Sequence, residues 1–403
     1  MALLTMSSLS IVLLRRHAIR RTLKRCADIS DAVSHLGFVQ ADPIRAPARA
    51  QDLILRLRVD RYRAGDLEQL YPTLPLCEDV LHVYGFLPQQ HLSFLHPRPL
   101  SEHWQRVLDE HPSLVKDVLA LVAELGVAHP KAVEKALGKV RRQNGWGGQS
   151  SATTMMLEAL HMQGRLRVAR REGGLRLYAT VRSEEKTRAL APTLRAEGLC
   201  RILTSLYAPM PLRSLQQALR AVRGPSRPTP RDALQRLLAS GELRQARVES
   251  EDWIWPEQET SDILHSDEQL ERVQLLAPFD PLVWDRHRFS LLWNWNYRFE
   301  AYTPASKRTL GYYALPMLFR DQVIGAANLS IQTGQTGQPG TLHSDLRFVR
   351  ERPTEPAFAR ELERELSALT QFLGIGQSSA ARPKSSKAND FSKNALDPIG
   401  EAR

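Results

Sequence analysis

The sequence has few cysteines and no apolar segment of transmembrane length. Cys26, Cys77 and Cys200 are its only three cysteines, and their spacing excludes a disulfide framework and a Cys-x-x-Cys metal site. The opening apolar stretch, within MALLTMSSLSIVLL, has about 13 residues, which is too short to span a bilayer. Because its arginines follow that stretch and no cleavage site is present, we expect a first helix rather than a signal peptide. These features indicate a cytoplasmic protein without membrane association.

The chain is strongly basic. Its 403 residues include 55 Lys and Arg against 44 Asp and Glu, which gives a net charge of +11 and a pI near 9.8. Most of the positive charge comes from arginine, whose planar guanidinium binds phosphate through two parallel hydrogen bonds. Nucleic acid is therefore a candidate partner, although charge alone does not decide it. The length allows about two to four compact units.

Two segments of the chain repeat each other. LHMQGRLRVAR (160–170) and LLASGELRQAR (237–247) share Leu, Gly, Leu, Arg, Ala and Arg at equivalent positions. Each follows a predicted helix and leads through a short turn into a second strand. Thr229 is a suitable N-cap for the second helix, and Gly164 and Gly241 are expected to end the two helices.

A helix, a glycine and a two-stranded hairpin are typical of the end of a winged helix, whose preceding helix usually enters a DNA groove. Winged helices also dimerise or dock other proteins, so both roles stay open. The first predicted wing favours DNA because it is rich in arginine, whereas the second carries Glu249, Glu251 and Asp252. The arginines of the first wing are Arg165, Arg167, Arg170, Arg171 and Arg176.

A polar pair lies in the stretch GFVQADPIRAPARAQD (37–52). Pro43 pushes Asp42 out of the helical region, and side chains two apart in an extended segment point to the same side. Gln40 and Asp42 should therefore project together as a polar site. The alternative is structural: Asp42 caps a turn before Pro43, and Gln40 bonds to the backbone.

Residues 10–95 are predicted to be mostly helical, with one helix over 47–59. Ala50, Leu53, Ile54 and Leu57 form its buried stripe. Arg49 and Arg56 lie beside that stripe, either as a solvated edge or as phosphate contacts.

The pattern changes near residue 271 to alternating, aromatic-rich segments, which predict a small sheet or barrel. The fold class is therefore α+β, with tandem winged-helix (helix-turn-helix) domains followed by a small C-terminal β-barrel or sheet. We predict a winged-helix-like helical domain with the Gln-Ala-Asp motif over 1–110, winged helices over 111–185 and 186–262, a β-rich barrel with a closing helix over 263–375, and a disordered tail over 376–403.

Several stretches, in order, resemble the YcaQ/AlkZ-like winged-helix DNA glycosylases of bacteria. They are LGFVQADPIRAPARAQDLIL, GRLRVARREGGLRLYA, LLAPFDPLVWDR and RFEAYTPASKRTLGYYALPML, and they span roughly residues 10–335. The resemblance implies tandem winged helices, a small barrel, and a monofunctional glycosylase that removes N7-alkylated purines and unhooks interstrand crosslinks. The family's Gln–apolar–Asp motif falls on Gln40, Ala41 and Asp42.

One departure from the family pattern concerns the segment after the first long helix. Many members of the Gln/Asp branch carry Glu-Tyr-Trp-Ala-His-Glu-Ala there, whereas this chain has LHVYGFLPQQHLSFLHP (81–97). His82, His91 and His96 lack a metal-binding arrangement, and we expect surface or capping histidines. No metal or cofactor is implied.

The resemblance makes Asp42 the electrostatic and basic group, and Gln40 the group that positions water. No lysine lies beside the motif, so no Schiff-base lyase step is indicated. The expected partner is double-stranded DNA with alkylated bases or crosslinks, bound by a monomer. A non-enzymatic transcriptional regulator and a protein-docking scaffold are the competing hypotheses. The candidate DNA contacts are Arg45, Arg49, Arg141, Arg142, Lys307 and Arg308.

Overall fold

A computed structural model describes most of the chain. The described residues are 9–138, 141–143, 149–181, 190–265, 271–332 and 340–375. The predicted disordered tail, 376–403, lies outside them. Among the described residues, no helix combines the length and the apolarity needed to cross a membrane.

The helices share the chain unevenly, and several are only one or two turns long. The N-terminal half has α1 (Ile11–Thr22), α2 (Ile29–Leu36), α3 (Ala50–Leu55), α4 (Asp66–Leu70), α5 (Leu92–Leu95), α6 (Glu102–Glu110), α7 (Pro112–Leu125), α8 (Pro130–Leu137) and α9 (Ala152–Met162). The C-terminal half has α10 (Pro192–Tyr207), α11 (Leu212–Ala221), α12 (Pro230–Ala239), α13 (Thr260–Leu264), α14 (Arg286–Trp293) and α15 (Pro356–Phe372).

The strands are mostly paired in antiparallel hairpins. They are β1 (Val39–Gln40), β2 (Leu76–Val80), β3 (Tyr84–Pro88), β4 (Arg141–Gln143), β5 (Gln149–Ser151), β6 (Leu166–Glu172), β7 (Leu175–Thr180), β8 (Met210–Pro211), β9 (Leu243–Val248), β10 (Glu251–Pro256), β11 (Val273–Leu275), β12 (Leu315–Phe319), β13 (Gln322–Gln332) and β14 (Thr341–Phe348).

The chain forms two compact units. Unit 1 combines residues 1–67, 201–218 and 237–403, and unit 2 combines 68–200 and 219–236. The core of unit 1 is rich in tryptophan, because Trp253, Trp255 and Trp293 are all buried together with aliphatic residues of α1 and α14. The prediction of five segments stays a prediction.

The first two helices of unit 1 lead the chain into the Gln-Ala-Asp motif. Ser10 caps α1 and Asp28 caps α2, since each side chain accepts a hydrogen bond from a backbone N–H three residues on. Gly37 ends α2 in the left-handed conformation, with φ of 77°. The buried residues Phe38 and Val39 then start the extended segment that reaches Gln40.

Helix α3 is shorter than the sequence predicted, but its buried stripe is correct. Ala50, Leu53, Ile54 and Leu57 are all buried, and α3 contacts β1. The helix ends at Leu55 rather than near residue 59.

A buried ion pair ties the end of α3 to two distant segments of unit 1. The guanidinium of Arg58 binds both carboxylate oxygens of Asp280, at 2.9 and 3.1 Å, and both side chains are fully buried. The same group donates to the backbone oxygens of Thr22 and Ile54. Asp280 in turn accepts from the N–H of Leu282. The guanidinium of Arg58 therefore joins the end of α1, the end of α3 and the segment around Asp280.

The C-terminal sheet is open. Its strand order is β11-β12-β13-β14, with antiparallel neighbours throughout, so β11 and β14 are edges in the part of the chain that the structure describes. Of the predicted barrel or sheet, the sheet is confirmed, and the described residues form no closed barrel. Residues 275–289, expected as strand, contain turns and α14, because Asp285 caps that helix by accepting from the N–H groups of His287 and Arg288. The predicted closing helix is confirmed as α15.

Unit 2 packs α6, α7 and α8 around α9, whose Met156, Leu157 and Leu160 are fully buried. It also contains the β2–β3 hairpin, which contradicts a mostly helical 10–95. Nearly all residues of β2 and β3 are buried, on both faces of the hairpin. The alternation of apolar and polar residues that predicts a strand is therefore missing.

The repeat has the elements that the sequence predicted. Helix α9 precedes the hairpin β6–β7, and α12 precedes the hairpin β9–β10. Thr229 Oγ1 accepts from the N–H of Asp232, as expected of an N-cap. Gly164 and Gly241 follow the helices with φ of 80° and 77°. The assignment of these elements as winged helices stays a prediction.

Removing the carboxylate from the buried pair should destabilise unit 1. Asp280→Asn leaves the Arg58 charge without its counter-charge in a fully buried site, so we expect a loss of about 3–5 kcal/mol in the free energy of unfolding. Urea unfolding followed by tryptophan fluorescence measures it. The control is Asp60→Asn, which removes an exposed pair with Arg25 and should change stability by less than about 0.5 kcal/mol. Equal effects of the two variants would contradict this role of Asp280.

Candidate active site

The Gln-Ala-Asp motif lies at the end of a short strand and before α3. Gln40 ends β1, and Asp42 follows in a segment without regular structure. The backbone N–H of Asp42 donates to Oε1 of Gln51, at 3.2 Å. Gln51 is on α3 and only 1% exposed, so a rigid helix holds the motif in place.

Asp42 is a partly buried carboxylate with one oxygen used by the protein. Oδ1 accepts from the N–H of Ile44, at 2.8 Å, which is the turn predicted as the structural alternative. Oδ2 accepts no hydrogen bond from the described residues. The turn and a chemical role are therefore compatible, because they use different oxygens.

Burial dominates the electrostatics of Asp42. It raises the pKa of the carboxyl from 3.8 to about 6, while the hydrogen bond from Ile44 and the charge of Arg49 act in the opposite direction. A carboxylate with this pKa accepts a proton more readily than an ordinary aspartate and is still mostly ionised at neutral pH.

Gln40 has an unused polar atom. Its Oε1 is buried and has no hydrogen-bond partner among the described residues. Buried amide oxygens are nearly always paired, and exceptions are frequent at functional sites. The oxygen of Gln40 therefore accepts no backbone hydrogen bond from the described residues. The wider alternative, that Gln40 bonds to the backbone, stays a prediction for its amide nitrogen.

The arginines near the motif have different environments. Arg49 precedes α3, is 9% exposed, and lowers the pKa of both Asp42 and Asp52 by its charge. Arg45 is exposed. Arg56 is not a solvated edge, because it is buried and pairs with Glu365 of α15 at 2.7 Å. Of these three, Arg45 is the residue whose side chain faces solvent.

Sequence reasoning missed Asp52, a second buried carboxylate. It accepts from Tyr62 Oη at 2.6 Å and from the N–H of Gly65 at 3.0 Å. Burial raises the pKa of its carboxyl, which these bonds and the charge of Arg49 partly offset. No sequence signal marked it, because Asp52 does not belong to the predicted stripe of Ala50, Leu53, Ile54 and Leu57, and its burial comes from the rest of unit 1.

The loop after α14 carries tyrosines whose pKa responds to the charge of Asp42. The pKa of Tyr302 is raised by burial and then by the negative charge of Asp42, and the same two causes raise the pKa of Tyr313. Tyr302 is 64% exposed, whereas Tyr313 is 2% exposed and its hydroxyl has no hydrogen-bond partner among the described residues. Tyr302 and Tyr313 lie within the family-like stretch RFEAYTPASKRTLGYYALPML, in which no residue pattern predicted a role for them.

The remaining predicted DNA contacts lie in three settings. Lys307 is exposed on a short turn of this loop. Arg308 is half-buried: its Nε donates to the Thr303 oxygen, and its guanidinium lies 5.0 Å from the centroid of the Tyr312 ring. Arg141 and Arg142 belong to β4 in unit 2, and their side chains lie outside the described residues.

Two histidines of the 81–97 segment have different environments in unit 2. His82 was expected at the surface or as a cap, but it is 8% exposed, and burial lowers its pKa to about 3. His96 pairs through Nε2 with Asp79, which also binds Arg98. The glutamate–histidine spacing of Glu-Tyr-Trp-Ala-His recurs at Glu78 and His82, where Glu78 lies three residues before the segment 81–97 and His82 is its second residue.

Comparison with known proteins identifies the family. The family model described as DNA glycosylase AlkZ-like matches residues 33–372. The chain belongs to the AlkZ-like DNA glycosylase family. Its fold is also similar to that of the Streptomyces sahachiroi DNA glycosylase AlkZ, with a TM-score of 0.63 and 15% identity over 91% of this chain and 98% of that one. This AlkZ-like chain is therefore a DNA glycosylase, not the regulator or scaffold that the sequence left open.

The raised pKa of Asp42 makes a prediction about stability. The folded protein binds this proton more tightly than the unfolded chain, so the contribution to stability is full below pH 3.8 and is lost as pH rises through about 6. Asp42→Asn removes the buried charge and keeps the acceptor for Ile44. We expect it to increase the free energy of unfolding at pH 8 by on the order of 2 kcal/mol, with little change near pH 4.

Urea unfolding at the two pH values measures this difference. Glu363→Gln, at an exposed position of α15, is the matched control and should show no such gain. An Asp42→Asn effect that is the same at both pH values would show that burial does not disfavour the ionised form.

Proposed function

We propose that this glycosylase hydrolyses the N-glycosidic bond of N7-alkylated purines, with Asp42 and Gln40 as its catalytic residues. The observation that carries the proposal is their polar geometry. Among the described residues, Asp42 Oδ2 accepts no hydrogen bond, and the buried Oε1 of Gln40 has no partner. Gln40 and Asp42 are two residues apart in a segment whose backbone N–H at Asp42 donates to Gln51.

The leaving group explains why a single carboxylate is enough. Alkylation at N7 makes the purine cationic, so the base leaves as a neutral molecule when it takes the electron pair of the bond to C1′. No general acid is needed, in contrast to ordinary glycoside hydrolysis, which uses a second carboxyl. Asp42 stabilises the positive charge that develops on the sugar.

Water completes the reaction. Its oxygen forms the new bond to C1′, and its proton passes to the Asp42 carboxylate, whose raised pKa suits a base. Gln40 holds the water through its amide, which offers both a donor and an acceptor. The product is an intact abasic site, because no lysine occurs in residues 37–52 to attack the sugar.

Interstrand crosslinks fit the same chemistry. A crosslink between two N7 positions presents a cationic purine at each end, and hydrolysis at either C1′ releases one strand. Crosslinked duplexes are therefore proposed as substrates together with monoadducts.

The activity test is base release from duplex DNA with N7-methylguanine or a nitrogen-mustard crosslink. Under single turnover, Asp42→Asn should reduce the rate by at least about 100-fold, because it removes the base and the charge. Asp60→Asn, at an exposed and distant position in the sequence, should leave the rate unchanged. Equal rates for wild type and Asp42→Asn would remove Asp42 from the mechanism.

The pH profile provides a second prediction. Because the reactive form of Asp42 is ionised and burial raises its pKa to about 6, kcat/KM should rise with pH up to that value and level off above it. A profile that is flat from about pH 5 to about pH 8, on both sides of the Asp42 pKa, would assign the reaction to another group.

Exposed cations of unit 1 are proposed to bind the DNA backbone. Arg45 and Lys307 are both exposed. Arg45→Ala and Lys307→Ala should each weaken binding to any duplex and reduce the slope of log K against log salt by about 1. Anisotropy titrations between 50 and 200 mM salt, a range of roughly fourfold, measure this slope. An unchanged slope would mean that the residue does not contact phosphate.

A further inference from the structure

We propose that the loop 299–313 is a nucleobase-binding platform, in which the exposed rings of Tyr302 and Tyr312 stack on the extruded alkylated base. The inference rests on the proposed function, because it names the residues that receive the base whose bond Asp42 breaks. It assigns a role to a stretch that the catalytic mechanism does not use.

The first observation is exposure of aromatic rings where burial would be expected. Tyr302 is 64% exposed and Tyr312 is 45% exposed, whereas the neighbouring Tyr313 and Tyr297 are buried. Exposed aromatic rings on a DNA-binding protein are suited to stacking, which every base can accept through its π face.

The second observation is that the rings are supported from below. Phe299 meets Tyr302 edge to face at 6.0 Å and Tyr313 at 5.3 Å between ring centroids. Phe279 packs against the other side of this cluster, 5.0 Å from Phe299. One face of Tyr312 is covered by the guanidinium of Arg308. Tyr302 therefore offers the less encumbered ring.

The third observation is that the loop is rigid. The Glu300 carboxylate accepts from the N–H groups of Thr309, Leu310 and Gly311 and from the Thr309 hydroxyl, at 2.8 to 3.1 Å. Gly311 has φ of 125°, and a Cβ there would lie 2.1 Å from Asn328 Oδ1. A side chain at this position would push the loop away from β13, so the position of Tyr312 depends on glycine at 311.

The fourth observation supports the other three. The negative charge of Asp42 is one of the causes that raise the pKa of Tyr302 and Tyr313, which belong to the ring cluster around Phe299. A base that is removed from the DNA stack needs a surface that replaces stacking. The exposed ring of Tyr302 supplies such a surface.

The charge of the lesion makes the platform selective. An N7-alkylated purine is cationic, and cations are attracted to the faces of aromatic rings and to a nearby carboxylate. An undamaged guanine is neutral and gains stacking alone. The platform should therefore retain the alkylated base more strongly than guanine.

The test uses binding, so that it does not depend on turnover. Two duplexes are compared, one with a single N7-methylguanine on a 2′-fluoroarabinose, which resists hydrolysis, and one with guanine on the same sugar. Fluorescence anisotropy gives the two affinities for wild type, Tyr302→Ala, Tyr302→Phe and Tyr312→Ala. Ile331→Ala, at a 41% exposed position of β13, is the control for loss of exposed apolar surface.

We expect Tyr302→Ala to weaken binding of the methylated duplex about 10-fold, as for loss of one stacked base, and to change the guanine duplex by less than about 2-fold. Tyr302→Phe keeps the ring and should bind like wild type, Tyr312→Ala should show a smaller selective loss, and Ile331→Ala should show none. The platform is overturned if Tyr302→Ala weakens both duplexes equally or neither, or if Tyr302→Phe fails like Tyr302→Ala.

Base release by the wild type separates this inference from the function beneath it. If the ring-dependent selectivity is found but wild type releases no base from hydrolysable N7-methylguanine DNA, the proposed reaction fails and the platform stands. If wild type releases the base, and Tyr302→Ala has both the release rate and the duplex affinities of wild type, the platform fails and the reaction stands.

Discussion

The contact between Arg58 and Asp280 is the constraint on which the organisation of unit 1 depends. A fully buried guanidinium needs hydrogen-bond acceptors for its N–H groups. Those of Arg58 donate to Thr22 at the end of α1, to Ile54 in the last turn of α3, and to Asp280 in the 277–285 segment. The motif is attached to one of these segments through Gln51 on α3, and Phe279 of the ring cluster belongs to another. The proposed catalytic carboxylate of Asp42 and the proposed platform thus contact parts of the chain that are joined by one ion pair.

Two electrostatic effects act on the pKa of Asp42 in opposite directions. Burial disfavours its charge, and Arg49 together with the Ile44 N–H favours it, with burial the larger influence. Arg49 is shared with Asp52, whose own partners Tyr62 and Gly65 fix the chain after α3. Helix α3 has only six residues, but it supplies both Gln51, which positions the motif, and the charged side chain of Asp52. Arg49 directly precedes the helix.

Much of the fold could be predicted from local patterns, and the rest depended on contacts distant in sequence. The Thr229 cap, the glycines after α9 and α12, and the buried stripe at 50–57 follow from spacing alone. The β2–β3 hairpin was not predicted because it is buried on both faces. The C-terminal sheet was predicted, but it does not close into a barrel in the described residues, and the chain between β11 and β12 contains a helix capped by Asp285 and a loop bound by Glu300. At the site, Gln40 and Asp42 were found from Pro43 and family resemblance. Gln51, Asp52 and Tyr302 were not, since no local pattern relates residue 42 to residue 302.

The hydrogen bonds of Glu300 have a consequence for how DNA is recognised. Four donors from residues 309–311 converge on this carboxylate, and its pKa is lowered to about 2 because they outweigh the opposing effect of burial. The loop has therefore lost its conformational freedom during folding, before any duplex arrives. None of the binding free energy is consumed in ordering it, so the contact with an extruded base can be expressed almost entirely as affinity and selectivity.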